Sequence, residues 1–311
     1  MTTRYVPKIL SGRPKDIYSA CPCASGRKFK FCCLARAKTL PAQSRTGFAH
    51  PGCYGSPLLD CSRKITGEHY VSRAIQERIA VDGRVQVSGL PWLKAPTHAL
   101  SPQALQSKIL CERHNGSLSP LDALALQFFC RVESWWTNAQ GTPTREFFPG
   151  LDLERWMLKL LAGWIAAGNA GPEINIPKDW LHVLWSERGA LEPPNGLYFA
   201  FSGEPTPVLH GFNVRVLSEA PTNLAYGALV ETQGLRFLLF AGDGRGRPEL
   251  EKEHAEWRYR PALFEVGSQD IGLDLAWPPG GERMAIHLSI TPTGAQPAAD
   301  ASNPAIPRTT T

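Results

Sequence analysis

The stretch Cys111-Glu112-Arg113-His114-Asn115 decides how this chain is read. It sets a thiol and an imidazole three positions apart, a spacing that lets both reach one metal ion from a single turn. A second pair, Cys53 and Cys61, lies upstream. Four such groups complete a tetrahedral zinc shell and pin two remote segments together. His50 competes for a place, because His50-x2-Cys53 also has ligand spacing. His114 is preferred, because it stands beside a cysteine on the remote segment. Working outward, the chain has eight Cys, at 21, 23, 32, 33, 53, 61, 111 and 130. The N-terminus has no apolar signal core, since Arg4, Lys8, Arg13 and Lys15 interrupt it. The expected setting is therefore cytoplasmic, where clustered cysteines favour metal over disulfides.

Further toward the N-terminus, Cys21, Cys23, Cys32 and Cys33 have the spacing C-x-C-x8-C-C. Four thiolates close a structural zinc shell, and Gly26 lets the loop turn between the pairs. Arg27, Lys28 and Lys30 offset part of the negative charge. So short a segment buries no core, so metal binding, worth on the order of 10 kcal/mol in small zinc peptides, has to fold it. These residues resemble the SEC-C motif, first recognised in the zinc-binding tail of the SecA translocase motor. The usual Gly after the second Cys is Ala24 here. The resemblance implies an accessory knuckle that docks protein partners. It does not imply a translocase, and the chain has no Walker-type phosphate loop.

Around the first group, Glu68-His69 and Asn115 complete a pattern similar to the HNH endonuclease superfamily, in its zinc-scaffolded variants. The resemblance spans roughly residues 50–122. It implies a ββα or treble-clef module in which His69 is the general base that activates water. Asn115 would help hold a catalytic Mg²⁺ or Mn²⁺, and Glu68 would orient the site or assist that metal. A neutral imidazole accepts a proton from water near neutral pH, and a hard cation polarises the phosphate. Arg63, Lys64 and Arg113 are available for phosphate contact. One departure is the middle Asn that orients the base in many relatives. Between Tyr70 and Leu110 there is no Asn, so His98, Gln103 or a backbone carbonyl has to take that role. The insert between the halves, about 40 residues carrying Pro91-Trp92, is long for the resemblance.

Charge is uneven. Residues 1–50 hold ten Lys/Arg and one acidic residue, Asp16, a net of +9; the rest, with 23 basic and 27 acidic residues, is −4. A basic arm on a mildly acidic body points to an anionic partner such as nucleic acid. No run reaches the ~18 apolar residues of a membrane span; the best, Trp156 to Ala167, is short and broken by Lys159. Ser119 reads as a helix N-cap with Pro120 at the first helical position. Leu121, Leu124, Ala125, Phe128, Val132 and Trp135 then follow at helical spacing. A second helix starts near Asp152, and Gly168 or Gly171 ends it. Strands are expected at Leu197–Phe201, Phe212–Val216, Tyr226–Val230, Leu235–Ala241, Leu263–Val266 and Met284–Ile290. Gly242–Gly246 reads as a hairpin turn, Cys130 as a buried small hydrophobe, Trp135-Trp136 as core, and Glu251–Glu256 as a solvated face.

The sequence thus reads as an α+β protein. Residues 1–45 form the basic arm with its knuckle, 46–120 the HNH-like module, 121–291 a helical then β-rich domain, and 292–311 a disordered tail. Two structural zinc ions are expected. The leading function is metal-dependent hydrolysis of nucleic-acid phosphodiesters, with the knuckle as docking arm. The alternative is a catalytically inactive, zinc-stabilised adaptor for nucleic acid or a protein partner. An association with protein export or the ribosome rests on the knuckle alone.

Overall fold

The computed structural model describes residues 18, 28, 45–137, 145–171, 173–185, 190–201, 211–219, 222–242, 257–261, 263–266, 271–277 and 285–288. Cys21, Cys23, Cys32 and Cys33, the Glu251–Glu256 run, residues 243–246 of the expected hairpin turn and the 292–311 tail lie outside the described residues.

Strand β1 (Ile65–His69) pairs antiparallel with β4 (Gln106–Cys111), and β4 runs directly into helix α2 (Glu112–Thr137). Between β1 and β4 the chain inserts α1 (Arg73–Ile79) and a hairpin of β2 (Val85–Ser88) with β3 (Thr97–Leu100). The long insert is therefore a small folded unit on the strand–strand–helix frame.

Helix α2 starts seven residues before the expected cap at Ser119, and Pro120 lies inside it. Proline there leaves the Gly116 carbonyl without its helical N–H donor. The earlier turn holds nonetheless, because Cys111 and His114 converge on a common centre and Ser117 Oγ donates to the His114 carbonyl at 2.7 Å. The expected apolar stripe is otherwise as read: Leu121, Leu124, Ala125, Phe128 and Val132 are buried. Cys130 is half-buried rather than buried.

Strand β5 (Arg145–Pro149) leads into α3 (Gly150–Ala166), which is buried on nearly every face, as expected of a helix crossing the middle of a core. Helix α4 (Lys178–Trp185) packs beside it. The expected strands follow as β6 (Gly196–Phe201), β7 (Asn213–Glu219), β8 (Leu224–Thr232) and β9 (Leu235–Phe240). With β10 (Arg258–Tyr259) they form an antiparallel sheet in the order β10-β6-β9-β8-β7. A second sheet, β13-β11-β12-β5, joins β5 to β11 (Leu263–Val266), β12 (Ile271–Ala276) and β13 (Ala285–Leu288).

The mixture of helices and largely antiparallel strands makes the fold α+β. One cluster of buried side chains runs from Cys53, Cys61 and Cys111 through Leu121, Phe128 and Trp156 to Phe199 and Phe237. Helix α2 is the bridge. Its Phe128 and Phe129 meet Phe237 of β9 with ring centroids 6.1 and 5.8 Å apart, edge to face. The C-terminal sheet therefore shares its core with the cysteine-bearing segment. No helix among the described residues is long and apolar enough to cross a membrane.

Candidate metal centre and its surroundings

Cys53 and Cys61 come from the loop that precedes β1, Cys111 from the last position of β4, and His114 from the first turn of α2. Pairing of β1 with β4 brings the two halves together. Loop hydrogen bonds fasten them: Tyr54 N donates to the Ile109 carbonyl at 3.0 Å, and Glu112 N to the Lys64 carbonyl at 2.8 Å. All four ligand atoms lie within 4.8 Å of one another, and all four residues are buried. His114 Nδ1 stands 3.5, 3.7 and 3.3 Å from the sulfurs of Cys53, Cys61 and Cys111. Tetrahedral zinc with ordinary bond lengths would place sulfur and nitrogen about 3.5 Å apart. Three sulfurs and one nitrogen at that separation fit zinc. His50 is outside the group: its Nδ1 accepts from Gly52 N at 3.0 Å, within its own turn.

The protonation states suit a metal. Burial pushes the His114 imidazole down to about 4, so it is neutral at pH 7 with a free lone pair. Burial raises the Cys53 thiol well above its ordinary value. Burial acts the same way on Cys111, but the N–H groups of His114 and Ser62 aimed at its sulfur bring it below that value. A cation at the centre would hold the remaining thiols as thiolates.

The surroundings fix the ring. Trp185 of α4 packs on His114 with ring centroids 4.7 Å apart, and its Nε1 donates to Ser117 Oγ at 2.8 Å. Gly55 backs the other part of the imidazole. A Cβ there would stand 2.9 Å from His114 Nδ1, so only glycine allows the approach. Asp60 pairs with Arg113 at 3.1 Å, both largely buried, and accepts from Thr46 N at 2.9 Å. Arg113 is thus committed to the scaffold rather than offered to a phosphate.

The expected catalytic residues lie on the same frame. His69 ends β1, and Asn115 follows His114 in α2. Asn115 Nδ2 donates to Thr66 Oγ1 at 2.9 Å and to the Gly67 carbonyl at 3.1 Å. The backbone of Pro102 lies near the His69 ring and favours its charged form, against the larger effect of burial. His69 Nε2 is buried with no hydrogen-bond partner. Burial, then the charge of Arg73, lowers the imidazole below its ordinary value, so it is neutral at pH 7.

Glu68 is placed differently. Its Oε1 lies 2.5 Å from Lys159 Nζ of α3, and the same ammonium is 2.7 Å from Asp122 Oδ1. Burial raises the Glu68 carboxyl, and the Lys159 charge opposes that rise. A carboxylate already neutralised by a buried ammonium does not fit a divalent ion. Lys159 was missed as a partner of this site. Its signal was the single charge inside the apolar run Trp156 to Ala167, since a lysine there has to find a buried anion.

No protein-family model matches the chain, and no curated protein or solved structure is significantly similar to it.

Proposed function

We propose that this protein is a zinc-scaffolded hydrolase of nucleic-acid phosphodiesters in which His69 is the general base. The observation that supports this reading best is the His69 ring. Burial lowers its pKa below the ordinary value, so it is neutral at pH 7, and its Nε2 has no hydrogen-bond partner. A neutral imidazole with a nitrogen that has no hydrogen-bond partner can take a proton. His69 Nε2 would accept a proton from water as the water oxygen bonds to phosphorus. The bond from phosphorus to the leaving sugar oxygen breaks, and that oxygen is protonated from solvent. Asn115 Oδ1 would contribute one neutral oxygen toward a Mg²⁺ or Mn²⁺ shared with the substrate, which suits a cation that keeps most of its waters. Such an ion would offset charge on the phosphate. Glu68 is left out of that role by Lys159. The basic N-terminal arm would supply sequence-independent attraction to phosphates.

The test is nicking of a supercoiled plasmid by zinc-loaded protein with added Mg²⁺ or Mn²⁺. Nicking is expected to disappear in His69→Ala while bound zinc and DNA binding are retained. A second reading, a zinc-stabilised nucleic-acid adaptor without catalysis, is favoured by the burial of Nε2, which water has to reach for hydrolysis. DNA binding without cleavage under any divalent ion would select it.

A further inference from the structure

A cavity of about 870 Å³ lies between the inserted hairpin and strand β7. None of the metal ligands, and neither His69 nor Asn115, lines it. Every residue of β2 lines it, and so do residues 213–216 at the start of β7. A strand that turned a face to a cavity would contribute every second residue, because successive side chains point to opposite sides. Unbroken runs mean that both strands turn an edge to it. The pairing agrees. Among the described residues β2 pairs only with β3, and β7 only with β8. Strand β3 adds only Ala99 to the lining, and β8 adds nothing.

A free strand edge presents backbone N–H and C=O groups that pair with another extended backbone. Here two edges present them to one space. Neither β2 nor β7 contains proline, so no donor is missing from either edge. Strand rise, strand spacing and sheet spacing give each residue of a packed sheet roughly 160 Å³, so 870 Å³ has room for about five residues.

The side chains of the two edges alternate in step. Val87, Val214 and Val216 pack on the core, whereas Gln86, Ser88, Asn213 and Arg215 are exposed. A strand laid between the edges continues that alternation, apolar toward the valines and polar toward solvent. The lining carries two arginines, Arg84 and Arg215, against one carboxylate, Asp82. Arg215 has no ion-pair partner among the described residues.

We propose that β2 and β7 together take up an extended segment of a partner protein, about five residues long, in which apolar side chains alternate with polar ones and a carboxylate faces Arg215. The segment would be the strand that joins the inserted hairpin to the five-stranded sheet. Backbone pairing would supply affinity, and the valines and Arg215 would supply selectivity. None of this depends on whether His69 is a base.

The experiment uses the full-length, zinc-loaded protein and four synthetic heptapeptides in which Val, Ile, Leu or Phe alternates with Glu and Thr. Calorimetric titration gives affinity, and amide hydrogen exchange locates the site. At least one peptide is expected to bind in the micromolar to millimolar range and to slow exchange in both β2 and β7. N-methylation of the peptide backbone keeps the side chains and removes donors, so it should weaken binding about tenfold or more. Arg215→Glu, at an exposed position, should weaken the same peptide about tenfold and strengthen its counterpart with Lys in place of Glu. The N-methylation measurement needs no variant and serves if Arg215→Glu does not fold. Failure of all four peptides to bind at millimolar concentration overturns the proposal. So does binding that leaves β7 amides unprotected, or that N-methylation does not change, or that folded Arg215→Glu does not change. Protection of β7 on concentrating the protein without peptide would assign the edge to a second copy of the chain. Protection by a single-stranded oligonucleotide and by no peptide would assign it to nucleic acid. Either result also overturns the proposal.

Discussion

Lys159 Nζ lies 2.5 Å from Glu68 Oε1, and both side chains are shut away from solvent. The same nitrogen reaches Asp122, and it lies 3.5 Å from the His69 carbonyl. Asp122 in turn is bonded by Ser72 Oγ, which accepts from Trp156 Nε1 at 2.9 Å. One ammonium thus ties α3 to the end of β1 and to α2, directly beneath the residue proposed as base.

Replacing Lys159 by Met should strand two carboxylates with no cation. A loss of about 3–5 kcal/mol is expected, read from urea denaturation. Adding Glu68→Gln to Lys159→Met should recover part of it. Glu68→Gln alone should act mainly on stability, with nicking per folded molecule nearly unchanged. A large fall in that rate with stability intact would return Glu68 to the chemistry.

The approach of Gly55 to His114 gives a metal-affinity prediction. Gly55→Ala should push the imidazole off its position and lower zinc affinity by roughly 10- to 100-fold, as changes beside a metal ligand commonly do. Competition with a chromogenic chelator measures it. Gly116→Ala is the control. Nothing lies within 4 Å of a Cβ there, so it should leave zinc affinity alone and stabilise α2 by about 0.5–1 kcal/mol. Equal affinities in the two variants would show that the ring is not held by Gly55.

His69 should titrate below the ordinary histidine value of about 6.5, because burial and Arg73 disfavour its charged form. Its folded pKa is depressed, so between that pKa and 6.5 the unfolded chain binds more protons than the folded one. Stability from this residue is therefore complete above about pH 6.5 and declines as the pH falls toward the folded pKa. An NMR titration of the ring protons reads the pKa directly. A midpoint at or above 6.5 would contradict the placement.

Arg260 and Glu154 form a second buried pair at 2.8 Å, and Arg260 Nη2 also donates to the Leu191 carbonyl at 2.8 Å. This pair fastens the C-terminal sheets to α3. Arg260→Met should cost about 3–5 kcal/mol, because Glu154 would be left charged and unpaired. Its zinc content should not change, since the metal ligands lie elsewhere. Loss of zinc together with stability would mean that the two halves unfold as one cooperative unit.

What the sequence by itself determined was chemistry and local period. Three cysteines and a histidine in that order fixed the donor set, because ligand type and spacing are written locally. The strands from Leu197 to Ala241 were legible for the same reason, since each buries its own apolar side chains. The start of α2 was not. Ser119-Pro120 carries a local start signal, and it was overridden by the convergence of Cys111 and His114 on Cys53 and Cys61 from a remote segment. Only the tertiary structure decided the rest. Turning the His114 Nδ1 toward the three sulfurs and committing Glu68 to Lys159 both depend on residues far apart in sequence. Their partners are set by burial, which removes water as the alternative and forces each polar group to find whatever the packed chain brings beside it.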